Sequence, residues 1–247
     1  MKIFVDTANL DDIEEALKRG FARGVTTNPS LFAKEPKADF EAHVQKIVLL
    51  IQKYQPDAHL SVEVFSTESE KIIEQAGHFK ETFALKNLSI KVPIGWNELE
   101  VIKKLSSAGI SVNCTCNMSV SQAVMAAAAG AKYVSLFWAR IRDAGVKSDD
   151  SHRSNREKML EEKVAGLQDF DPFIVVQETR ALIADDYPNT EIIAGSMRSV
   201  QDVMDAGRAG AHIVTVPPKF FPGMIEHFKT SEVVSQFMED FKKWITK

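Results

Sequence analysis

Eight short segments of the chain place apolar residues at alternate positions, as half-buried strands do, and each is followed by apolar positions at helical spacing. The segments are KIFVDT (2–7), GVTTN (24–28), HLSVEVF (59–65), LSIKVP (88–93), SVNCT (111–115), YVSLFW (133–138), TEIIAGS (190–196) and HIVTVP (212–217). LDDIEEALKRG opens with an acidic first turn and closes on Gly20, and SVSQAVMAAAAG opens on Ser119 and closes on Gly130, as capped helices do. Alternating strands and helices predict a parallel sheet. Eight such units in 247 residues have the count and size of an α/β (β/α)8 TIM barrel, expected here as one domain over residues 1–247. A doubly wound open sheet is the main alternative, but no Gly-rich phosphate loop follows the first strand.

With Asp6, Asn28, Glu63, Lys91, Asn113, Ser135, Ser196 and Pro217 as strand-end markers, the spacing is uneven between Ser135 and Ser196. That stretch holds KSDDSHRSNREKMLEEK (147–163) and then PFIVVQETRALIADDY, which predicts an exposed loop and two helices. Beyond the eighth strand an extra helix is expected over about 230–246, with Val233, Val234, Phe237, Phe241 and Trp244 on one face. That face needs cover, from its own barrel or from another subunit.

Strand side chains alternate between the helix layer and the barrel interior. Ile3, Val5, Val62, Val64, Ile90, Val92, Val112, Cys114, Val134, Leu136, Val214 and Val216 form the apolar set that should meet the helices. The opposite parity then points inward: Asp6, Thr26 with Asn28, Ser61 with Glu63, Ser89 with Lys91, Asn113 with Thr115, Ser135 with Phe137, and Ser196. A purely structural barrel centre would be filled with Val, Ile and Leu. One inward Lys with one inward carboxylate fits a buried ion pair; polar ends on seven strands fit a site at the C-terminal mouth, where such barrels carry their chemistry.

Composition narrows the partners. The net charge of −4 supplies no general basic field, so nucleic acid is not an expected partner. The apolar run AVMAAAAGA (123–131) is too short to span a bilayer, and MKIFVDTANL lacks the apolar core of a secretion signal, so no membrane is expected either. Cys114 and Cys116 are read as free thiols in a reducing compartment, and a cytoplasmic location is expected. The sequons NCT (113–115) and NMS (117–119) then carry no glycan.

The six histidines fall mostly on predicted helices or loops and are read as surface or boundary residues, with no cluster of metal ligands. No G-x-S-x-G elbow or P-loop is present. The remaining nucleophile is Lys91, whose amine can condense with a carbonyl to a Schiff base. Asp6 and Glu63 could transfer protons, and Asn28, Asn113, Thr115 and Ser135 could hold hydroxyls, which suits a sugar. Arg140 and Arg198 stand just past strands six and seven. Either alone fits a surface salt bridge; both at one rim fit an anion such as phosphate.

These motifs resemble those of the transaldolases, in particular the small, short-chain type. FVDTAN resembles the family's opening strand, GVTTNPSL its second strand and loop, IKVP its Schiff-base segment, GISVNCT its fifth strand, YVSLFWARI its sixth and GSMRS its seventh. The resemblance implies that Lys91 attacks the C2 carbonyl of a ketose phosphate and that Asp6 takes the C4 hydroxyl proton. It implies a water held by Glu63 with Thr115, a dihydroxyacetone unit on Asn28, Asn113 and Ser135, a phosphate on Arg140 and Arg198, and Phe137 as a wall. Thr26 and Ser196 join the substrate-binding set. No cofactor and no metal are implied, and homo-oligomers are common in the family. Leu136 stands where the family often has Pro, followed by a bulky Trp138, Met197 replaces a Phe, and CNMS follows Thr115 in place of an apolar run. These departures are expected at the mouth. Fructose-6-phosphate aldolase shares the lysine but tends to carry Gln and Tyr where Glu63 and Phe137 stand. Ketoses with another anionic tail and an inactive sugar-phosphate binder are the other readings.

Overall fold

Eight parallel strands close on themselves in the computed structural model, which describes residues 1–147 and 149–246. They are β1 (Lys2–Asp6), β2 (Ala22–Thr26), β3 (His59–Glu63), β4 (Leu88–Pro93), β5 (Val112–Asn117), β6 (Tyr133–Phe137), β7 (Glu191–Gly195) and β8 (Ile213–Val216), with β8 pairing back onto β1. Around them run α1 (Leu10–Lys18), α2 (Pro29–Phe32), α3 (Phe40–Tyr54), α4 (Ser69–Phe83), α5 (Trp96–Ser107) and α6 (Val120–Ala128). The chain continues through α7 (Trp138–Val146), α8 (Asp150–Glu161), α9 (Pro172–Ile183), α10 (Val200–Arg208), α11 (Phe221–Ile225) and α12 (Phe228–Ile245). The architecture is the expected (β/α)8 barrel, and the LSIKVP segment coincides with β4 to the residue.

Capping fixes where the helices start. Asn9 accepts from the N–H groups of Asp11 and Asp12 at 3.1 Å, and Ser119 and Ser199 do the same service for α6 and α10. The stretch 147–163 departs from expectation: most of it is helix α8, begun by Asp149, whose carboxylate accepts from His152 N–H at 3.1 Å. None of α8 is buried, so its sequence shows no apolar periodicity from which to recognise a helix. Ser148, in that stretch, and Lys247, at the end of the expected domain, lie outside the described residues.

The outer strand faces form the main core. Val5, Val25, Val62, Val92, Val112, Val134, Leu136, Val214 and Val216 are fully buried against helix residues such as Ile13, Ile47, Ile102 and Val203. Inside, the layers change character along the axis. Phe4, Ile193 and Ile213 pack together at the N-terminal end, with Tyr133 against them. Next come the small polar residues Thr26, Ser61, Asn113, Ser135 and Thr215, and then the ionisable groups Asp6, Glu63 and Lys91. Two departures predicted at the mouth are not there: Leu136 and Trp138 are buried on the outer side, with Trp138 beside Asp202.

Two histidines are also corrected. His43 and His59 are buried rather than at the surface. His43 Nε2 lies 2.8 Å from the Ala8 carbonyl, which fixes α3 against the end of β1. His59 occupies the barrel interior, stacked on Phe4 at 5.2 Å between ring centroids. Gly24 on the neighbouring strand makes room for that stack, since a Cβ there would stand 2.8 Å from the Phe4 ring. Gly24→Ala is therefore expected to destabilise the barrel by about 1–3 kcal/mol, the usual cost of overpacking, seen as a lower midpoint in urea with an unchanged slope.

Candidate active site

The C-terminal ends of the strands surround a cavity of about 1060 Å³. Asp6, Thr26, Asn28, Glu63, Lys91, Thr115, Ser135, Phe137, Arg140, Ser196 and Arg198 all line it. Asn113, also expected to touch substrate, lies one level down instead. It is fully buried, donating from Nδ2 to Ser61 Oγ at 3.0 Å and accepting from Ser135 Oγ at 2.7 Å. It reaches the cavity only through Ser135.

Lys91 answers the question that its strand poses. Its residue is 5% exposed, and Nζ pairs with Glu63 Oε2 at 2.8 Å and donates to the Thr27 carbonyl at 2.8 Å. The register places Glu63, Lys91 and Asn113 side by side on β3, β4 and β5. Asp6 faces the same space and accepts from Thr26 Oγ1 at 2.8 Å. Burial pushes the Asp6 carboxyl above its ordinary range, against the opposing pull of the Lys91 charge, the Thr26 hydroxyl and the Lys34 charge. The carboxyl is thus poised to take up a proton more readily than an exposed aspartate does.

Thr115 differs from its neighbours. Its Oγ1 is buried and has no hydrogen-bond partner, while it lines the cavity beside Glu63 and Lys91. A buried hydroxyl left unpaired is costly, and a small polar guest in the cavity would satisfy it. A bulge follows it. Between Cys114 and Asn117 the register with β6 shifts by one residue, and Cys116 takes φ 65°. Asn117 holds the bulge from below, donating to the Cys114 carbonyl at 2.8 Å and the Ser135 carbonyl at 3.3 Å. As a result Cys116 turns into the cavity, where simple alternation would send it to the helices. Ser196, just past β7, has a similar left-handed backbone, φ 62°. Two such non-glycine residues at one mouth, each costing about 1–2 kcal/mol, mark a place where position outweighs local comfort.

Cations stand at the rim alongside the acids Asp12 and Glu35. Arg140 lies over the Phe137 ring, 5.9 Å from its centroid, and Lys34 and Lys219 stand on the cavity wall. Arg198 is half exposed and gripped by both oxygens of Asp143, at 2.8 and 2.6 Å. The salt bridge that a lone surface arginine would form is therefore present, and it also aims the guanidinium along the rim. Asp202, buried at the start of α10, accepts from the Arg198 N–H at 3.0 Å and from Arg142 at 2.6 Å. Asn28, besides facing the cavity, starts α2 by accepting from Leu31 N–H at 3.0 Å. Among the described residues, no three His, Cys, Asp or Glu side chains converge as a metal site needs.

Sequence comparisons give the family. A family model described as Transaldolase/Fructose-6-phosphate aldolase matches residues 3–247. The chain belongs to that family. It is an enzyme of transaldolase type, with relatives of its own length. A protein named "Probable transaldolase" from Symbiobacterium thermophilum is 35% identical over 98% of this chain and 97% of its own. Another of that name from Clostridium acetobutylicum is 36% identical over the whole of both chains. Among solved structures, thiamine phosphate pyrophosphorylase from Pyrococcus furiosus superposes with a TM-score of 0.54 at 14% identity, over 87% of this chain and 85% of that one. That likeness speaks for the barrel alone.

Several lining residues escaped the sequence reading: Thr215, Cys116, Lys34 and Lys219. Thr215 has the inward parity on β8, and its hydroxyl meets that of Thr26, so alternation alone could have found it. Asp202 carries no such signal, because its role depends on three chain segments meeting. Burial works against its charge, but Arg142 and the Arg198 N–H hold its carboxyl below the usual range. A lowered folded-state value adds stability that is present above the unfolded value and is lost as pH falls through the folded one. Asp202→Asn should therefore cost about 1–3 kcal/mol at neutral pH. The gap from wild type should close on acidification, as thermal melts from pH 7 down to pH 3 would show.

Proposed function

We propose that the protein transfers a dihydroxyacetone unit from a ketose phosphate, fructose 6-phosphate or sedoheptulose 7-phosphate, to an aldose phosphate through a Schiff base on Lys91, in the non-oxidative pentose phosphate pathway. The observation that carries this is the buried Lys91 amine, opening into the cavity against Glu63 and within the field of Asp6. Lys91 adds to the C2 carbonyl after passing a proton to Glu63, and water leaves to give a protonated imine. Asp6 takes the C4 hydroxyl proton while the C3–C4 bond breaks, the bonding electrons moving onto the imine as it becomes an enamine. The first aldose phosphate departs, the enamine carbon attacks the incoming aldehyde, and Asp6 returns its proton to the new alkoxide. Hydrolysis by a water between Glu63 and the unpaired Thr115 hydroxyl frees the product and restores the amine.

Ser135 and Asn28 hold the dihydroxyacetone hydroxyls, with Thr26 and Ser196 beside them, and Phe137 walls the ring of contacts. The phosphate sits between Arg140 and Arg198, with the Asp143 contact on Arg198 keeping its fork at the rim. The carboxylate at Glu63 and the phenyl ring at Phe137 favour transfer over release of free dihydroxyacetone, the outcome for the aldolase of the same family. Exposed aromatic residues on α12, with Phe237 at 66% and Trp244 at 78%, support a homo-oligomer in which a second copy covers that face. No helix among the described residues is long and apolar enough to cross a membrane, and a cytoplasmic setting suits the sugar-phosphate substrates.

Borohydride added with fructose 6-phosphate should leave a reduced adduct on the intact protein, and Lys91→Ala should lose both adduct and turnover. Asp6→Asn should still trap the sugar while turnover falls by about 10²–10⁴-fold. The same substitution tests the raised Asp6 value in stability. A carboxyl whose folded value is raised weakens the fold progressively as pH rises through the range between its unfolded and folded values. Asp6→Asn removes that cost and should melt about 2–4 °C higher at neutral pH, despite being nearly inactive. Steady release of dihydroxyacetone from fructose 6-phosphate without an acceptor, at the rate of transfer, would overturn the choice of transferase. Sedimentation of Phe237→Glu/Phe241→Glu should show a smaller species than wild type.

A further inference from the structure

A chain of hydrogen bonds runs through the barrel from its N-terminal end to the cavity: His59, Ser61, Asn113, Ser135. His59 Nε2 lies 2.7 Å from Ser61 Oγ, Asn113 Nδ2 donates to Ser61 Oγ at 3.0 Å, and Ser135 Oγ donates to Asn113 Oδ1 at 2.7 Å. All four residues are buried, and only Ser135 borders the C-terminal cavity. His59 borders instead a separate cavity of about 380 Å³ at the other end, shared with Phe4, Arg23 and Tyr133.

The direction of every hydrogen in this chain follows from donor counting. Ser61 has one hydroxyl hydrogen and two polar neighbours. Asn113 Nδ2 can only donate, so the Ser61 hydrogen goes to His59 Nε2, and the imidazole carries its own proton on Nδ1. With its Nδ2 committed to Ser61, Asn113 turns Oδ1 to Ser135. That oxygen can only accept, so the Ser135 hydrogen points down the barrel and its lone pairs remain for the cavity.

We infer that His59 is a positioning residue that makes Ser135 an obligate acceptor, matched to a substrate hydroxyl and mismatched to a carboxylate or carbonyl at the same place. The inference rests on the reading of Ser135 as part of the dihydroxyacetone site. Two features keep His59 in this role. Its ring is clamped between Phe4, stacked at 5.2 Å, and Tyr133, edge-on at 4.7 Å. Burial, with the Lys2 charge as the smaller cause, pushes its pKa down to about 3, so Nε2 stays an acceptor at neutral pH. Without an acceptor at position 59 the Ser61 hydrogen has nowhere to go. The Asn113 amide then gains by turning over: Oδ1 takes the Ser61 hydrogen, Nδ2 donates to Ser135, and the Ser135 hydrogen is released into the cavity. The site would then accept a carboxylate where it had selected a hydroxyl.

The test compares borohydride trapping on Lys91 of dihydroxyacetone and of hydroxypyruvate, which replaces one hydroxymethyl group by a carboxylate. The ratio of the two is the readout, because general damage lowers both. Wild type should favour dihydroxyacetone. His59→Phe, which keeps an aromatic ring against Phe4, should narrow the ratio about tenfold, the weight of one hydrogen bond. His59→Gln, which restores an acceptor, should bring it back. If His59→Phe does not fold, Ser61→Ala breaks the chain one link later and should narrow the ratio likewise. An unchanged ratio in either folded variant overturns the inference. Nitrogen-15 spectra of the wild-type imidazole give a second reading that needs no substrate: the proton should be on Nδ1, and a proton on Nε2 overturns the inference. If wild type traps neither ketone, it is the Schiff-base reading that fails, and the tautomer still decides the role of His59.

Discussion

An ammonium inside a β-barrel is the constraint on which this structure turns. Lys91 is buried on β4 beside the cavity, where an unpaired charge is costly. Three oxygens offset that cost. Glu63 supplies a full opposite charge at 2.8 Å, the Thr27 carbonyl a dipole at 2.8 Å, and Asp6 a longer-range field. The arrangement is not a stability device. A buried pair replaced by well-packed apolar residues is often neutral or stabilising, so retaining one in this barrel is better explained by chemistry than by folding. The raised Asp6 carboxyl has the same origin, since burial costs it more than the Lys91 charge and the Thr26 hydroxyl return.

The closed sheet makes this tolerable. Every strand is paired on both sides, so the inward side chains are held by a frame with no free edge to relax. The apolar cost of a polar interior is met on the other face, where the same strands bury Val, Ile and Leu against the helices. Within the interior a second separation appears. The middle layer is internally satisfied, hydroxyl to amide to hydroxyl, and so behaves as structure. The top layer contains the group that is not satisfied, Thr115, and the two left-handed residues, Cys116 and Ser196. Within the interior, the unmet hydroxyl and the left-handed residues thus lie at the end that opens to solvent.

Strand parity was the part of this most open to reading from sequence. Because side chains alternate strictly, the apolar outer set of β3 and β4 forced Glu63 and Lys91 inward, and the register then set them side by side. The same rule carried one step further back would have put His59 in the interior; its type, common on surfaces, argued the other way. What alternation cannot reveal is an interruption of itself. The one-residue shift between Cys114 and Asn117 turns Cys116 to the cavity beside Thr115, and nothing local in VNCTCN announces it. Pairings between distant segments are equally silent: Asp143 with Arg198, and Asp202 with Arg142, join residues far apart in sequence on exposed or mixed helices. Helix α8 was missed for the opposite reason, having no buried face to give it a period.

The family departures in YVSLFWAR gain a different meaning from where they fall. Leu136 faces the helix layer, and Trp138 lies beside Asp202, the residue that also holds the backbone of Arg198. A bulky change on the outside of β6 is therefore coupled to the placement of a rim arginine on the loop after β7, through a carboxylate that neither strand contributes. Met197, a further change, is itself on the cavity wall beside that arginine. Trp138 and Met197 thus both lie against the segment that carries Arg198, whereas the CNMS change puts Cys116 on the cavity wall near Glu63 and Lys91. Specificity for the anionic tail can drift in such a barrel without disturbing the carbon–carbon chemistry, because the two are anchored to different layers of it.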